Sequence, residues 1–384
     1  REAGRVRITA ELIQVRNQTQ LWAESYEREL AGILALQSEV ARKVAESLAL
    51  KLLPAEQARL AGVRTVNPEA YEAYLKGMQY WYKLTPQAFD IALEYFELAL
   101  KKDPNYAPAH SGVAWVWFWR QQFGYAAPRE AGPKAKAAAL KAIELDSTLP
   151  DGHLALALVN CDYEWDWAGA EVEYKRAIEL NPNYPDARAY YSSYLAIMKR
   201  SEEGMAQMQR ALQLDPLNEI VQVSHAADLG FAGRYDEAIV EWRKVLRTSP
   251  QNPAAHWQLS GVLFRKAMYE ESLAEMKASY SSIGDREVEE ALTQGYAQSG
   301  YSGAMRRAAE LLAARARKTY VPPTDVAALY AMAGEEAQAL AWLEKGLEAH
   351  DGNMPFVNLM PHLETLRNTP RFQAILRRMN LPVK

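Results

Sequence analysis

Histidine is the side chain most often used for acid–base chemistry and for zinc binding near neutral pH, and the sequence contains six. Three of them, His110, His153 and His256, occupy the same position in a repeated pattern that is described below. Side chains at one repeat position lie on successive units and do not converge on one ion. The pattern therefore favours a repeated packing role over metal ligation or catalysis. The other three histidines have no carboxylate or cysteine at metal-ligand spacing.

The densest acidic and aromatic stretch runs from Asp162 to Trp167 and reads Asp-Tyr-Glu-Trp-Asp-Trp. Carboxylates in such a stretch could bind calcium, but the glycine and the distal glutamate of a calcium-binding hand are missing. The stretch falls where a helix is predicted to start, and a carboxylate there accepts hydrogen bonds from free backbone amides. We therefore interpret Asp166 as a helix cap between two packing tryptophans.

Other catalytic patterns give no specific signal. The sequence has no glycine-rich phosphate loop, nucleophile elbow or zinc motif. Its paired acids fall in predicted first turns, where negative charge favours the helix dipole: Glu202-Glu203, Glu270-Glu271 and Glu289-Glu290. A dispersed Ser-His-Asp triad stays open as an alternative, although a helical solenoid seldom supplies the rigid loops that such a site uses. We expect no catalytic residue, no cofactor and no metal, with a hydrolase as the less favoured alternative.

Composition and charge limit the classes of partner. Of the 384 residues 49% are hydrophobic, and the net charge is −4, so no overall basic field attracts nucleic acid. The apolar runs, such as Val113 to Trp119, are too short to cross a bilayer. One cysteine excludes an intramolecular disulfide and leaves the compartment open between cytoplasm and periplasm. The chain begins at Arg1 without a methionine, so we expect a piece of a longer protein, periplasmic if a membrane span precedes it.

The elements that position these residues repeat at a fixed interval. Pro182, Pro216 and Pro250 follow one another at intervals of 34 residues. Small or branched apolar residues lie five positions before each proline, and large ones lie eight before it: Ala177, Ala211, Val245, Tyr174, Met208 and Trp242. A fixed period of this length predicts a stack of two-helix units that bury their apolar faces against one another.

The residue types resemble a known family. Gly233, Tyr235, Glu237, Ala238 and Trp242, followed by Thr-Ser-Pro, are similar to the second helix of the tetratricopeptide repeat (TPR). The resemblance implies an all-α fold, a right-handed superhelical TPR solenoid of about eight helix pairs over residues 67–350, with capping helices over 351–384. Two departures are modest: Gly284 replaces a proline and is expected to end a helix, and an insert is predicted between the helices of the second unit, around residues 123–133.

The N-terminal residues have a different pattern. Residues 6–12 alternate between apolar and polar types, as in a half-buried strand; residues 21–26 predict a second strand, and 33–53 predict a helix. We assign 1–55 to a partial α/β segment and 56–66 to a linker. The stretches Gly4–Ile13 and Leu21–Leu30 resemble the second half of a FlgO-like domain, which precedes TPR arrays in bacterial regulators. An incomplete sheet would leave an edge through which chains could self-associate.

The C-terminal end is also specific. Leu366–Met379 combines Leu-Arg, a polar turn, Pro-Arg-Phe, apolar residues and paired arginines. It is similar to the ending of TPR regions in bacterial CadC-like winged-helix transcription regulators, serine/threonine kinases and adenylyl cyclases. The resemblance implies a non-catalytic sensing or regulatory region of a larger signalling protein. A self-assembling structural scaffold is the alternative.

In TPR arrays the first helix of each unit lines the concave face. Carried over position by position, this implies that the partner-binding residues are Ser111, Trp115, Phe118, Trp119, Leu158, Asp162, Ser193, Ile197, Val223, Ala227, Phe231, Trp257, Phe264 and Arg265. Such a groove is apolar and aromatic, which suits an amphipathic helix or an apolar peptide segment. The alternative is that these aromatic side chains pack against neighbouring units or against other parts of the chain.

Overall fold

The computed structural model describes residues 5–14, 19–29, 33–47 and 66–382. Strands β1 (Arg5–Gln14) and β2 (Thr19–Glu29) and helix α1 (Ile33–Ser47) come first. The first four helix pairs are α2 (Pro68–Trp81) and α3 (Pro86–Lys102), α4 (Ala107–Gln122) and α5 (Pro128–Leu145), α6 (Pro150–Val159) and α7 (Trp167–Leu180), and α8 (Pro185–Ile197) and α9 (Ser201–Leu214). The next are α10 (Glu219–Phe231) and α11 (Tyr235–Thr248), α12 (Pro253–Arg265) and α13 (Tyr269–Ser282), the two halves of α14 (Arg286–Arg315), and α15 (Pro323–Met332) and α16 (Glu336–Ala349).

These pairs are numbered here as units 1 to 8. The two halves of α14 form unit 7, because the backbone leaves helical geometry at Ser299 and Gly300. Helix starts follow the sequence signals: Asn67 accepts hydrogen bonds from the amides of Glu69 and Ala70, and prolines occupy the first turn of many helices. The first helices contact one another between units 1 and 2, 2 and 3, 4 and 5, and 5 and 6.

The turn between the two helices of each unit contains one residue in the left-handed backbone region. This residue ends the first helix, and in units 2 to 6 and unit 8 the next backbone amide bonds back to a carbonyl in the last turn of that helix. Four of the eight residues are glycine, for which this conformation carries no steric cost. From unit 1 to unit 8 they are Leu84, Gly124, Trp165, Lys199, Gly233, Ala267, Gly300 and Gly334.

The interiors of the units are built on one plan. Tyr174, Met208, Trp242 and Met276 occupy equivalent positions on second helices, and all four side chains are buried. Burying one such side chain contributes about 1.5–3 kcal/mol. The period-34 pattern therefore marks the residues that hold neighbouring helices together.

The repeated histidine role is confirmed. The Nε2 atoms of His110, His153 and His256 lie 3.0–3.1 Å from the backbone carbonyl six residues earlier. Each ring thus ties the first helix of its unit to the loop before it. The three rings belong to units 2, 3 and 6 and do not meet.

Two further expectations concern helix boundaries. Gly284 ends unit 6 as expected, with a φ of +77° just after α13. The insert of unit 2 differs from the prediction, because the connection is only residues 123–127 and α5 already begins at Pro128. The additional residues lengthen the helices instead: α4 has 16 residues and α5 has 18, against 13 and 14 in units 4 to 6. Pro133 is tolerated inside α5, near the start of the helix.

The N-terminal segment packs against unit 1. β1 and β2 pair in an antiparallel sheet, with Ile8 opposite Tyr26. Tyr26 and Leu36 are buried in one cluster with Tyr71 and other residues of unit 1. The strand and helix predictions are confirmed over these ranges. The helix predicted over 33–53 is described only as far as Ser47, and the linker assigned to 56–66 lies outside the described residues apart from Val66.

After α16 the chain turns back into the solenoid. We call residues 351–366 the returning segment; it contains 3-10 turns at Met354–Phe356 and Pro361–Leu366. Helix α17 (Pro370–Arg378) follows, and the Trp167 indole Nε1 donates to the Met379 carbonyl at 2.8 Å. The C-terminal residues therefore contact units 2 and 3 as well as unit 8, and lie inside the solenoid as well as at its end.

Candidate functional site

The first helices of units 2 to 6 enclose a cavity of about 300 Å³, which we call the chamber. Eleven of the 28 residues that line it are aromatic. Asp325 of unit 8 and three residues of the returning segment, Asn353, Phe356 and Met360, close its far side. The chamber is therefore formed by parts of the chain that lie far apart in sequence.

A second cavity of about 890 Å³ lies beside the chamber, and we call it the mouth. It is formed by the turn of unit 1 and by the loops that begin units 5, 6 and 7. Phe123, Tyr125, Pro253 and Ile283 line both cavities, so the two adjoin. Tyr82 in the mouth is 62% exposed, which shows that the mouth faces solvent.

Ten of the fourteen concave-face residues chosen from the sequence line the chamber. They come from five successive units: Phe118, Trp119, Leu158, Asp162, Ser193, Ile197, Val223, Ala227, Phe231 and Trp257. Four others do not. Ser111 and Trp115 are buried between units 1 and 2, and the Phe264 ring stacks on Tyr301 of unit 7 at 6.0 Å. Arg265 pairs with Glu364 at 2.7 Å.

The concave wall of units 5 and 6 is already in contact with the returning segment. Phe356 stacks on Phe231 with 5.9 Å between ring centroids, and His362 stacks on Trp257 at 5.5 Å. Helix α12 has Gly261 under the His362 ring, and a Cβ at that position would overlap the ring. An open groove was expected along this face, but at these units the chain's own C-terminal residues occupy it.

The acidic wall of the chamber comes from an irregular turn. The helix of unit 3 widens into a π-helical turn at Asn160–Glu164, and such turns often occur at functional sites. Cys161 and Asp162 on this turn line the chamber. The turn ends at Asp166, which caps α7 by accepting the Gly169 amide at 2.9 Å, so the predicted cap is confirmed.

Two chamber carboxyls have perturbed acidity. Burial raises the pKa of Asp162 to about 7, although Oδ2 accepts a 2.7 Å hydrogen bond from the Gln122 amide. Burial also raises the pKa of Asp325 to about 8, and the nearby Asp351 carboxylate adds to this effect. Asp162 is therefore close to half-ionised at neutral pH, whereas Asp325 is mostly protonated.

Two of the histidines that could act as bases are engaged elsewhere. His153 places Nδ1 2.6 Å from Glu173, and His256 places Nδ1 2.5 Å from Glu275, while their Nε2 atoms face backbone carbonyls. Within the described ranges, no group of three or more His, Cys, Asp or Glu side chains has the arrangement of a metal site. No described helix is both long enough and apolar enough to span a bilayer.

Several chamber residues were missed by sequence reasoning, among them Tyr190, Tyr280, Asp325 and Phe356. Asp325 carried a usable signal, because it is the one charged residue in the apolar helix Pro323–Met332. Phe356 gave no sequence signal, because the returning segment lies outside the repeated pattern.

Comparison with known proteins gives few relatives by sequence. No protein-family model matches the chain. A protein of Rhizobium meliloti named putative adenylate cyclase 3 is 32% identical over 160 residues, which is 41% of this chain and 27% of that protein. The matched part thus spans about a quarter of that relative's length.

Solved structures are similar in fold. Human IFIT1, solved as a dimer with m7Gppp-AAAA, gives a TM-score of 0.51 at 13% identity and covers 81% of this chain and 76% of that chain. Yeast Tom70 gives a TM-score of 0.43 at 16% sequence identity and covers 83% of this chain and 69% of that chain. The TPR protein TTC0263 of Thermus thermophilus gives a TM-score of 0.41 at 19% sequence identity and covers 50% of this chain and 98% of that chain. The chain has the fold of a right-handed superhelical TPR solenoid of about eight helix pairs, with a small α/β segment at its N-terminus.

Proposed function

We propose that this chain is a non-catalytic protein- or peptide-binding region, and that it is the sensing or regulatory part of a larger bacterial signalling protein. The observation that carries this proposal is the returning segment. A largely apolar stretch without regular helix or strand lies against the concave wall of units 5 and 6, held by side chains of the kind that anchor peptides.

The contacts of this wall are specific in chemistry. Phe231 and Trp257 offer ring faces to the returning segment, and Arg265 pairs with the Glu364 carboxylate. The Tyr235 hydroxyl donates to the same carboxylate at 2.6 Å. Two aromatic anchors beside an acid-binding pair would accept a similar apolar segment with one acidic residue from a partner protein.

The signalling context has separate support. The chain is similar to part of a protein named putative adenylate cyclase, and its C-terminal pattern resembles that of TPR regions in bacterial regulators. Regions of this kind act on a neighbouring output domain through binding rather than through chemistry. The engaged histidine rings of units 3 and 6 agree with a non-catalytic role.

Peptide competition tests the proposal. A labelled peptide with the sequence of residues 351–367 is titrated into the wild-type chain and into the Phe356→Ala/His362→Ala double variant, with fluorescence anisotropy as readout. The segment in the same chain competes at a high effective concentration, so the wild type should bind weakly. We expect the double variant to bind at least tenfold more tightly.

Two controls separate specific binding from unfolding. A scrambled peptide of the same composition should not bind, and Phe231→Ala in the double-variant background should weaken binding again. Circular dichroism checks that helicity is retained. The proposal is contradicted if the double variant is folded but does not bind the peptide.

A second candidate, self-assembly through the sheet edge, rests on β1 and β2. Within the described residues these strands pair only with each other, so each has an outer edge without a partner strand. Light scattering over a hundredfold range of concentration tests this candidate, and a constant monomer mass contradicts it.

A further inference from the structure

We infer that the chamber binds the positively charged head of a small organic cation, with Asp162 and Asp325 as its acidic groups and the rings of Trp119, Tyr190, Tyr280 and Trp257 around it. This inference goes beyond peptide binding, because the returning segment closes one side of the chamber but leaves about 300 Å³ of it unfilled.

Several polar atoms of the chamber residues are buried without a hydrogen-bond partner. Asp162 is 3% exposed and Tyr280 is 7% exposed, yet Asp162 Oδ1 and the Tyr280 hydroxyl have no hydrogen-bond partner among the described residues. The Trp119 indole nitrogen and the Tyr190 hydroxyl are likewise buried and have no hydrogen-bond partner among the described residues. Buried polar atoms are nearly always paired, so such a group around one cavity points to a bound molecule that supplies the missing partners.

The charge of the lining selects the sign of that molecule. Among the described residues that line the chamber, none is Lys, Arg or His, while two are aspartate. Neither aspartate is in an ion pair within the part of the chain that the structure describes, and the partners of Asp162 are neutral, namely the Gln122 amide and the Cys161 thiol. A carboxylate in an apolar cavity is costly unless an opposite charge compensates it. An anion would add a second uncompensated charge, and the anionic group of a zwitterion would have no basic side chain to pair with.

The rings suit an organic cation better than a metal ion. Trp119 and Tyr190 lie 6.3 Å apart between centroids, and Trp257 and Tyr280 lie 6.1 Å apart. The faces of such rings attract ammonium groups, and tryptophan is the most effective. The volume corresponds to about ten water molecules, and so to a cation of about ten non-hydrogen atoms.

Protonation of the two carboxyls gives the binding a pH dependence. The groups facing Asp162 are Cys161, Tyr174 and Tyr190, and those facing Asp325 are Tyr280, Tyr320 and Asp351. Burial raises the pKa of the thiol and of these tyrosines, so at neutral pH they are uncharged. A cation favours the ionised carboxylates, so its affinity should increase as the pH rises through about 7 to 8.

Calorimetric titration of the full chain with choline is the direct test, because the charge of choline does not change with pH. Its neutral isostere, 3,3-dimethylbutan-1-ol, is titrated in parallel. We expect saturable choline binding that is at least tenfold tighter than that of the isostere, and about tenfold tighter at pH 8.5 than at pH 6 because about one carboxyl proton is lost on binding.

Two isosteric variants locate the site. Asp162→Asn and Asp325→Asn should each lower the choline affinity about tenfold while leaving that of the isostere unchanged. Asp186→Asn is the matched control, since burial also raises the pKa of Asp186, to about 6, but this residue lies outside the chamber and accepts a bond from Asn218. Thermal unfolding checks that each variant folds, and having two variants keeps the test valid if one does not.

The cation could be a free molecule or a basic side chain of a partner peptide. A pentapeptide with a central lysine and its norleucine counterpart distinguish these sources. Binding of choline identifies a free cation, and binding of the lysine peptide alone identifies a side chain. The inference is overturned if neither cation binds, if the neutral counterparts bind equally well, or if both aspartate variants bind like the wild type.

Discussion

Units 3 and 4 and unit 6 present the same repeat positions to the interior of the solenoid, but different neighbours cover them. In units 3 and 4 the positions of Asp162 and Ile197 face the chamber. In unit 6 the equivalent residue, Arg265, is paired with Glu364 of the returning segment. A repeat position therefore determines where a residue points, whereas distant parts of the chain determine whether it becomes core or binding surface.

The largest expected effect tests whether the returning segment is part of the core. Leu363 is 0% exposed, so Leu363→Ala should reduce the free energy of unfolding by about 2–5 kcal/mol. Urea unfolding followed by circular dichroism measures this loss. Leu217→Ala is the control, because Leu217 is 85% exposed and its change should stay within about 0.5 kcal/mol. A loss below about 1 kcal/mol for Leu363→Ala would show the segment to be loosely held.

The pH dependence of the unfolding free energy tests the two carboxyls that line the chamber. The folded chain keeps Asp162 and Asp325 protonated at pH values where the unfolded chain, with an ordinary pKa near 3.8, has lost the protons. Stability from these groups is therefore fully present below about pH 4 and is lost as the pH rises through about 7 to 8. The expected loss between pH 5 and pH 8 is about 3 kcal/mol for each carboxyl.

Other groups also titrate, so the informative quantity is the difference between the wild type and the variant in the slope of the unfolding midpoint against pH. His153 and His256 have raised pKa values and change stability in the same direction, whereas His362, whose pKa burial lowers to about 4, acts in the opposite direction below about pH 6.5. The Asp162→Asn/Asp325→Asn variant should have a flatter dependence of unfolding midpoint on pH than the wild type. Parallel curves would mean that the two carboxyls are not buried as described.

The smallest effect compares two units at a purely local feature. Gly233 and Ala267 occupy the same turn position in units 5 and 6, with φ values of +75° and +57°. Ala267→Gly should raise the free energy of unfolding by about 1 kcal/mol, and Gly233→Ala should lower it by about as much, because only the backbone conformation changes. A Cβ on Gly233 would meet no atom within 4 Å. Thermal unfolding of both variants checks the two signs, and effects of equal sign would contradict this account.

Local features of this fold were predictable from the sequence. The interval of 34 residues, the cap at Asp166 and the break at Gly284 all depend on residues close together in the chain, and the structure contains each of them. The returning segment was not predictable, because periodicity specifies only contacts between neighbouring units. The same limit applies to the site: Asp162 was chosen by its phase, but Asp325 and Phe356 reach the chamber by contacts that no repeat describes.

The contacts between the chain's end and units 2 and 3 have a consequence for how the molecule unfolds. Repeat arrays commonly fray from a free end, because each module depends only on the next. Here Gln122 donates to the Gly352 carbonyl at 3.4 Å, His350 stacks on Trp165 at 4.4 Å, and Trp167 is bonded to Met379, so the last module cannot peel away alone. Opening of the C-terminal end therefore disturbs the middle of the array, which makes denaturation more cooperative than in a linear stack and couples events at the C-terminus to the cavity wall.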